Sequence, residues 1–328
     1  MKKRVLITGA SGFLGYHLIE EALQNNLEVY VAVRKSSKID HLKHFDIQYT
    51  YPNFNDIISL KKELQERQYD YIIHAAGVTK ARSAQEYKTI NSEYTYNLAA
   101  AAQSAGINLK GFVFISSLAA VGPLDTLTGI ITEHTPPRPV TAYGKSKLLA
   151  ENKLKSISSL NYSILRPTAI YGPRDKDIFI FFKQLKNGIE PYIGNIEQKL
   201  SFIYVKDLAR VTIKALYNCD QETYNLSDGN FYSRYELAVI AKNVLNLKTV
   251  KFHLPVIFVK LIASAAEKIS YLSNKAAVIN SEKLKELMAV NWFCEIDKAK
   301  YDLGYYPHFD LEAGLNETLN WYTTNKWL

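Results

Sequence analysis

The first half of the chain alternates short apolar runs with longer segments in which apolar residues recur every three or four positions. Short apolar runs between turn residues are typical of buried strands, and the longer spacing is typical of one helix face. We predict strands at residues 4–8, 28–34, 47–51, 69–74, 111–116 and 163–165. We predict helices at residues 14–24, 57–65, 84–104 and 143–156.

This order of elements indicates an α/β fold with a doubly wound parallel sheet of the Rossmann type. The core is expected at residues 1–171 and is completed by residues 201–228. After Gly172 the pattern changes to mixed short elements and then, in the last hundred residues, to helix and loop. We therefore predict a smaller mixed lobe at residues 172–328, formed mainly by 172–200 and 229–328.

One C-terminal segment, residues 254–269, carries its apolar residues at helical spacing. Such a helix has one apolar face, which we expect to lie in the core or to close a pocket rather than to face a membrane. The segment contains Lys260 and is shorter than the about 20 apolar residues that span a bilayer. We therefore expect no stable membrane insertion.

Composition and charge exclude several classes of function. The 328 residues are 47% hydrophobic and 22% charged, as in folded globular proteins. The net charge of +8 is dispersed and no nucleic-acid-binding motif is present, so we expect no nucleic-acid partner. Two cysteines, Cys219 and Cys294, indicate a reducing cytoplasm, and no histidine or cysteine cluster has the spacing of a metal site.

Three glycines, Gly9, Gly12 and Gly15, separate the first predicted strand from the following helix. Glycine at such positions permits a tight turn, a close approach of the backbone to a pyrophosphate and close packing of helix on strand. The helix N-terminus adds amide donors and a positive dipole. Because the motif stands at the first strand-to-helix junction, we predict that it binds a dinucleotide.

The end of the second strand indicates which dinucleotide is used. An acidic residue there normally binds the ribose 2′-hydroxyl of NAD, but this chain has no acid between Val31 and Lys38. Arg34, with Lys35 or Ser36, is suited to pair with a 2′-phosphate. We therefore expect NADP(H) in preference to NAD(H).

Tyr143 and Lys147 lie four residues apart on a predicted helix and so share one face. A neighbouring ammonium favours the phenolate and lowers the tyrosine pKa from its ordinary value near 10. Ser117, at the end of a predicted strand, is placed to hydrogen-bond a substrate oxygen. These three residues are the expected catalytic set, and their chemistry is reversible hydride transfer between a nicotinamide and a secondary alcohol or ketone.

These motifs together resemble those of the extended short-chain dehydrogenase/reductases, also called the NAD-dependent epimerase/dehydratase family. Thr8-Gly9-x-x-Gly12-x-x-Gly15 is similar to the family's cofactor turn, and Tyr143-x-x-x-Lys147 to its catalytic pair. The resemblance covers nearly the whole chain. It implies that Tyr143 is the acid/base, that Lys147 orients the ribose and that Ser117 polarises the substrate oxygen, with Ser116 as the alternative serine.

The turn, the strand ends and the resemblance together give the expected cofactor-binding residues. These are Gly9, Ser11, Gly12, Phe13, Leu14, Gly15, Arg34, Lys35, Asn53, Phe54, Ala75, Ala76, Gly77, Asn91, Ser116, Tyr143, Lys147, Pro167 and Ala169. The resemblance also implies that the C-terminal lobe binds a small-molecule substrate. A homodimer through the helices at 84–104 and 143–156 is expected on the same basis.

Departures from the family pattern bear on the substrate. Family members that act on nucleotide sugars often have Asn where this chain has Ala169, and Arg where it has Leu200 and Ser201. Lys199 or Arg174 would be the replacements for these missing diphosphate contacts. The pattern resembles the branch that includes dihydroflavonol reductases and 3-beta-hydroxysteroid dehydrogenases. Two alternatives stay open: a nucleotide-sugar epimerase or dehydratase with tightly bound NAD, and a non-catalytic dinucleotide sensor or scaffold.

Overall fold

The computed structural model describes residues 2–273 and 281–328. Strands β1 to β11 are Arg4–Thr8, Glu28–Ala32, Gln48–Thr50, Tyr71–His74, Gly111–Ile115, Tyr162–Pro167, Ala169–Tyr171, Ile189–Ile193, Phe202–Tyr204, Glu222–Leu226 and Val250–Leu254. Helices α1 to α12 are Phe13–Gln24, Ile57–Arg67, Ala84–Tyr87, Tyr94–Ser104, Ala142–Lys155, Asp177–Lys186, Val205–Tyr217, Glu236–Leu245, Val256–Ser273, Ser281–Leu287, Asp297–Leu303 and Leu311–Thr324.

The main sheet has seven parallel strands in the order β10-β6-β5-β4-β1-β2-β3. From β1 the chain first builds outward through β2 and β3, then crosses to β4 and builds in the other direction. The order therefore reverses between β1 and β4. In open sheets of this kind, ligands bind at this reversal, outside the carboxyl ends of the strands.

Alternate residues of the central strands pack on opposite faces of the sheet. Val5 and Ile7 of β1 belong to the apolar cluster that includes Leu18 of α1 and Ile213 of α7. Leu6, between them, belongs to the cluster under α2 and α4. A strand that is buried on both faces consists of consecutive apolar residues. This continuous apolar run is why the sequence predicts the bounds of β1 well.

The C-terminal lobe has an apolar core of its own. Tyr171, Phe182, Leu315 and Tyr322 are buried together in it. Two small parallel pairs, β7 with β9 and β8 with β11, lie outside the main sheet. Strand β10, which follows residues 201–221 in the chain, forms the edge of the main sheet beside β6.

The prediction of an α/β fold with a doubly wound parallel sheet is confirmed. Strand β1 has the predicted bounds, and the others differ by a few residues. Strand β2 ends at Ala32 because the chain turns at Arg34, where the Ser37 amide donates to the Arg34 carbonyl. The predicted helix at 84–104 is continuous but contains a π-helical segment, Lys88–Glu93.

The prediction that the apolar face at residues 254–269 lies in the core is wrong for the exposed side chains that the structure describes. Residues 256–269 belong to α9, Leu254 ends β11, and Val259 and Ala263 are buried. Ile257, Phe258 and Leu261 are nevertheless exposed. Apolar spacing identifies a helix face but does not say whether another element covers it. Among the described residues no helix has both the length and the apolarity needed to cross a membrane.

A buried ion pair joins α5 to the sheet. The Glu151 carboxylate accepts hydrogen bonds from Arg166 Nε at 3.0 Å and from its Nη2 at 2.6 Å, and both side chains are buried. The Ser116 hydroxyl donates to the same carboxylate at 2.6 Å. The charge of Glu151 is therefore balanced inside the protein by groups from β6 and from the end of β5.

Removal of one partner from this pair is expected to destabilise the fold. Arg166→Met should lower the free energy of unfolding by about 3–5 kcal/mol, because it leaves the Glu151 charge buried without a counterion. Urea denaturation measures this change. The matched control is Lys43→Met, which removes one partner of the exposed Asp40 pair and should leave the midpoint unchanged. Equal effects of the two substitutions would contradict the conclusion that Arg166 balances the buried charge of Glu151.

Candidate active site

The glycine turn brings α1 into direct contact with the end of β1. A Cβ at Gly15 would lie 2.3 Å from the Gly9 carbonyl oxygen, and one at Gly9 would lie 2.6 Å from the carbonyl oxygen of Ala75. Gly9 also has a φ of +70°, which favours glycine. The N-cap of α1, Gly12, has no side chain to cap the helix, so its first amides are available to an anion.

The loop after β4 is held beneath this turn by an ordered network. The Ala76 amide donates to Thr8 Oγ1, which lies 2.8 Å from His74 Nδ1. His74 Nε2 lies 3.0 Å from Thr95 Oγ1, whose hydrogen is donated to the Asn91 carbonyl. His74 therefore carries its hydrogen on Nε2 and accepts from Thr8 at Nδ1. Burial lowers the pKa of His74 to about 3, so the ring is neutral and its role is structural.

Asn91 fixes the same loop from the opposite side. Its Oδ1 accepts from the Val78 amide at 2.8 Å, and its Nδ2 donates to the Val78 carbonyl and to Ser146 Oγ. The π-helical segment that contains Asn91 turns its amide toward the loop, as π-bulges often do at functional sites. The Asn91 amide therefore orders the residues that were expected to bind the cofactor.

Tyr143 and Ser117 meet at the carboxyl end of β5. Thr141 caps α5 by accepting from the Gly144 amide, so Tyr143 lies in the first turn of the helix. Burial raises the pKa of Tyr143 to about 12, whereas the spacing from Lys147 predicted a lowered pKa, and the neighbouring Ser117 hydroxyl acts against the effect of burial. Ser117 Oγ also accepts from the Ala119 amide, which fixes the hydroxyl beside the tyrosine.

The structure distinguishes the two serines at this strand end. The Ser116 hydroxyl is buried and donates to Glu151, whereas the Ser117 hydroxyl accepts from the Ala119 amide and lies beside Tyr143. Ser117 is therefore the serine placed beside the tyrosine, and the side chain of Ser116 belongs to the ion pair beneath it.

Lys147 lies one helical turn after Tyr143 and is buried. Its Nζ donates to the Ile115 carbonyl at 2.8 Å and lies 4.8 Å from the centre of the Phe114 ring. Burial lowers the pKa of Lys147 to about 8, and the Glu151 carboxylate opposes that shift. A Cβ on Gly77 would lie 3.3 Å from this Nζ, so the loop after β4 borders the lysine.

Strand β2 ends in an exposed cationic turn. Arg34 and Lys35 are exposed, and the Arg34 guanidinium forms no ion pair with any residue that the structure describes. The His41 side chain, farther along the same connection, lies beside the backbone of Ser11 in the glycine turn. Burial lowers the pKa of His41, and the charges of Arg174 and Lys176 add to that effect. Positive charge is therefore concentrated beside the turn.

Arg174 lies on the cofactor side of the molecule. Its guanidinium carbon stands 3.8 Å from the centre of the Tyr16 ring of α1, and the backbone φ is +76°. Lys199, the other residue considered as a diphosphate contact, has its Nζ 4.5 Å from the centre of the Phe231 ring. The two side chains stand on different aromatic rings and form no common cluster.

The remaining residues that were predicted to bind the cofactor lie at other strand ends and at the start of α1. Phe54 follows β3, and its carbonyl accepts from Asn97 Nδ2 at 2.8 Å. Asn53 Oδ1 accepts from the Asn55 amide and shapes the same turn. Pro167 ends β6 and is buried, whereas Ala169 is exposed. Phe13 and Leu14 begin α1, and Ala75 follows β4.

Sequence reasoning missed two carboxylate positions near the catalytic residues. Glu151 follows Lys147 by four residues, so the helical spacing that pairs Tyr143 with Lys147 also places Glu151 on that face. Glu286 of α10 accepts from Thr141 Oγ1 and raises the pKa of Tyr143. No local pattern signals the second contact, because its partners are 145 positions apart in the chain.

These residues fit a dinucleotide. The uncapped α1 N-terminus can bind a pyrophosphate, and the absence of a side chain at Gly77 lets the loop after β4 pass close to Lys147, where a Cβ would lie 3.3 Å from Nζ. Tyr143, Ser117 and Lys147 then form a site able to donate or accept one proton at a substrate oxygen. The described residues contain no group of three His, Cys, Asp or Glu side chains that could hold a metal ion.

Comparisons with known proteins agree with this geometry. The chain is 25% identical to the ceramide reductase of Caulobacter vibrioides over 327 residues, covering 99% of this chain and 96% of that protein. It is 28% identical to the UDP-glucose 4-epimerase of Vibrio cholerae over 335 residues, covering 97% and 95%. The crystal structure of UDP-glucose 4-epimerase from Thermotoga maritima superposes with a TM-score of 0.82 at 21% identity, covering 98% and 99%.

Residues 5–227, which carry the glycine turn and the Ser117, Tyr143 and Lys147 cluster, match the model of the NAD dependent epimerase/dehydratase family. The matched range is more than half of the chain. This protein is therefore an enzyme that belongs to the NAD dependent epimerase/dehydratase family.

Proposed function

We propose that the protein catalyses reversible, NADP(H)-dependent hydride transfer to or from a secondary alcohol or ketone. The observation that carries this proposal is that Tyr143 lies beside Ser117, one helical turn before the buried Lys147, whose Nζ donates to the Ile115 carbonyl at the end of β5. The bound nicotinamide supplies or accepts the hydride. The side chains of the protein bind and orient the substrate oxygen and move its proton.

Tyr143 is the proposed acid/base. Burial keeps its hydroxyl protonated at neutral pH, which suits proton donation to a substrate oxygen that gains negative charge. Ser117 stands beside it and can donate a second hydrogen bond to the same oxygen. Two converging donors fix that oxygen in place and stabilise its charge in the transition state.

Lys147 is proposed to hold the ribose and to stabilise the phenolate by its charge. Its contact with the Ile115 carbonyl fixes the ammonium near Gly77. Glu151 is a positioning residue beneath it, since the carboxylate favours the charged lysine. Burial and this carboxylate act in opposite directions, and the pKa of Lys147 remains near the working pH.

The substrate is proposed to bind at the C-terminal lobe, residues 172–200 and 229–328, and to lack a nucleotide diphosphate. Ser201 is buried, and its hydroxyl donates to the Asn230 carbonyl. Leu200 pairs with Tyr232 through the backbone. The similarity to a ceramide reductase supports a carbonyl substrate with a large apolar part.

A nucleotide-sugar epimerase is the second candidate, and the similarity to UDP-glucose 4-epimerases favours it. Such an enzyme returns the hydride to its own substrate and keeps the cofactor tightly bound. Mass analysis of the purified protein separates the two candidates: co-purified NAD supports the epimerase, and an empty site that prefers NADPH supports the reductase. The assembled catalytic residues argue against a purely non-catalytic sensor.

Two further properties belong to this proposal. A homodimer through the surface of α4 and α5 is supported by Tyr96, Leu148 and Leu149, apolar side chains that are only partly buried. A reducing cytoplasmic environment is supported by Cys219 and Cys294, which are both free thiols.

Removal of the Tyr143 hydroxyl tests the acid/base role. Tyr143→Phe should lower kcat by at least about a hundredfold, the lower range for loss of a general acid, while NADPH affinity stays unchanged. Fluorescence titration of NADPH and steady-state kinetics measure the two effects. Tyr87→Phe is the matched control, because its ring centre lies 6.2 Å from that of Tyr143 and its hydroxyl donates only to the Thr79 carbonyl. Full activity of Tyr143→Phe on the true substrate would refute the mechanism.

The pH profile of ketone reduction tests the state of Lys147. Activity should fall as the pH rises through about 8, because the lysine loses its charge there. Glu151→Gln removes the carboxylate that raises this pKa, so the alkaline fall should move to lower pH. The control is Glu93→Gln, which removes the carboxylate paired with Lys153, another lysine of α5, and should not move the profile. If the alkaline fall of Glu151→Gln stays at the same pH or moves to higher pH, Glu151 does not raise the pKa of Lys147.

The cofactor preference depends on Arg34. Arg34→Ala should raise KM for NADPH by about tenfold, the effect of one charge-assisted contact, and leave KM for NADH nearly unchanged. Lys62→Ala, at an exposed helical position, removes the same charge away from the turn and serves as control. Tighter binding of NADH than of NADPH by the unmodified protein would overturn the preference.

A further inference from the structure

An unusual apolar surface stands outside the active site. We define the α9 face as Leu254, Ile257, Phe258, Leu261 and Ile262, whose exposed fractions are 36%, 72%, 61%, 62% and 58%. Soluble proteins expose single apolar residues commonly, but contiguous apolar patches mark interaction sites. Five such residues within nine positions form one patch.

The face belongs to a folded and anchored element. Val259 and Ala263, four residues apart, are buried and fix the opposite side of α9 against the protein. Strand β11 precedes the helix and pairs with β8. Its residues Val250 and Phe252 are also exposed. The apolar surface therefore extends from the strand onto the helix.

The charge around the α9 face is positive. Lys248, Lys251 and Lys260 are exposed, and none of them has an ion-pair partner among the residues that the structure describes. The sequence contains no acidic residue between Glu236 and Glu267. The acid on the adjacent strand, Glu190, is buried and bonded to Lys242, Thr249 and Tyr192.

The position of the face relative to the catalytic helix is also informative. Helix α9 packs against α10, and Glu282 of α10 accepts from the Ala142 amide at the first residue of α5. Glu286 of the same helix accepts from Thr141 Oγ1. Helix α9, which carries this face, therefore packs against the helix that contacts the start of α5.

We propose that the α9 face docks on an anionic lipid membrane surface. Apolar side chains with adjoining lysines are the composition of helices that lie in the headgroup region, where the rings and alkyl groups enter the lipid and the ammonium groups meet anionic headgroups. The face is held by the fold and lies flat, so the protein docks without spanning the bilayer.

Charge argues against a second copy of the chain as the occupant. A two-fold interface through the α9 face would bring Lys248, Lys251 and Lys260 of one copy near the same residues of the other. Like charges opposed across an apolar interface disfavour association. An anionic lipid surface instead neutralises all of these charges.

Vesicle sedimentation tests this inference independently of catalysis. The full chain should bind vesicles containing about 30% phosphatidylglycerol in phosphatidylcholine at least about tenfold more strongly than phosphatidylcholine vesicles, and less at about 1 M salt. The double variant I257S/L261S should lose at least about tenfold of this binding. It should keep NADPH affinity and melting temperature, because both side chains are exposed.

Two controls separate the contributions of apolar contact and charge. Ile58→Ser changes an isoleucine of α2 that is equally exposed and should leave vesicle binding unchanged. Lys251→Gln/Lys260→Gln should remove the preference for anionic lipid. The inference is overturned if the unmodified chain does not bind anionic vesicles, or if I257S/L261S binds as well as the unmodified chain. It is also overturned if that double variant instead abolishes a dimer seen by sedimentation velocity.

Discussion

A single buried carboxylate connects the catalytic helix to the sheet. Glu151 has no exposed surface, and its charge is balanced by Arg166 and by the Ser116 hydroxyl. Because these partners come from β6 and from the end of β5, the pair fixes α5 against the strand ends where the chemistry takes place. The same carboxylate favours the charged form of Lys147, four residues earlier. The same carboxylate therefore holds α5 on the sheet and raises the pKa of the lysine to which we assign a role in proton transfer.

The cofactor side of the site is ordered in a similar way by neutral groups. Thr8, His74 and Thr95 form a directed chain of hydrogen bonds that ends on the Asn91 carbonyl, and the Asn91 amide holds the loop at Val78. The close approach of Gly15 to the Gly9 carbonyl places the α1 N-terminus over this loop. Most of these side chains need not contact a ligand. They fix the conformation of the backbone that we expect to contact it.

Local patterns in the sequence predicted much of the core. The apolar run of β1, the glycine turn and the i to i+4 spacing of Tyr143 and Lys147 report short-range geometry, and each is found in the structure. The π-helical segment around Asn91 and the contact of Glu286 with Thr141 depend on packing between distant segments, which periodicity does not encode. The α9 helix was predictable from its spacing, but its exposure was not. An apolar face has the same pattern whether protein, lipid or solvent covers it.

The proposed function requires that a hydride pass between the nicotinamide and a substrate that then leaves as product. The direct measurement uses NADPH labelled with deuterium at the transferable C4 position, a panel of ketones with large apolar groups, and mass spectrometry of the products. We expect an alcohol that carries one deuterium, formed at the expense of NADPH. An unlabelled, epimerised sugar nucleotide formed with tightly bound NAD, and no labelled alcohol from any ketone, would contradict it.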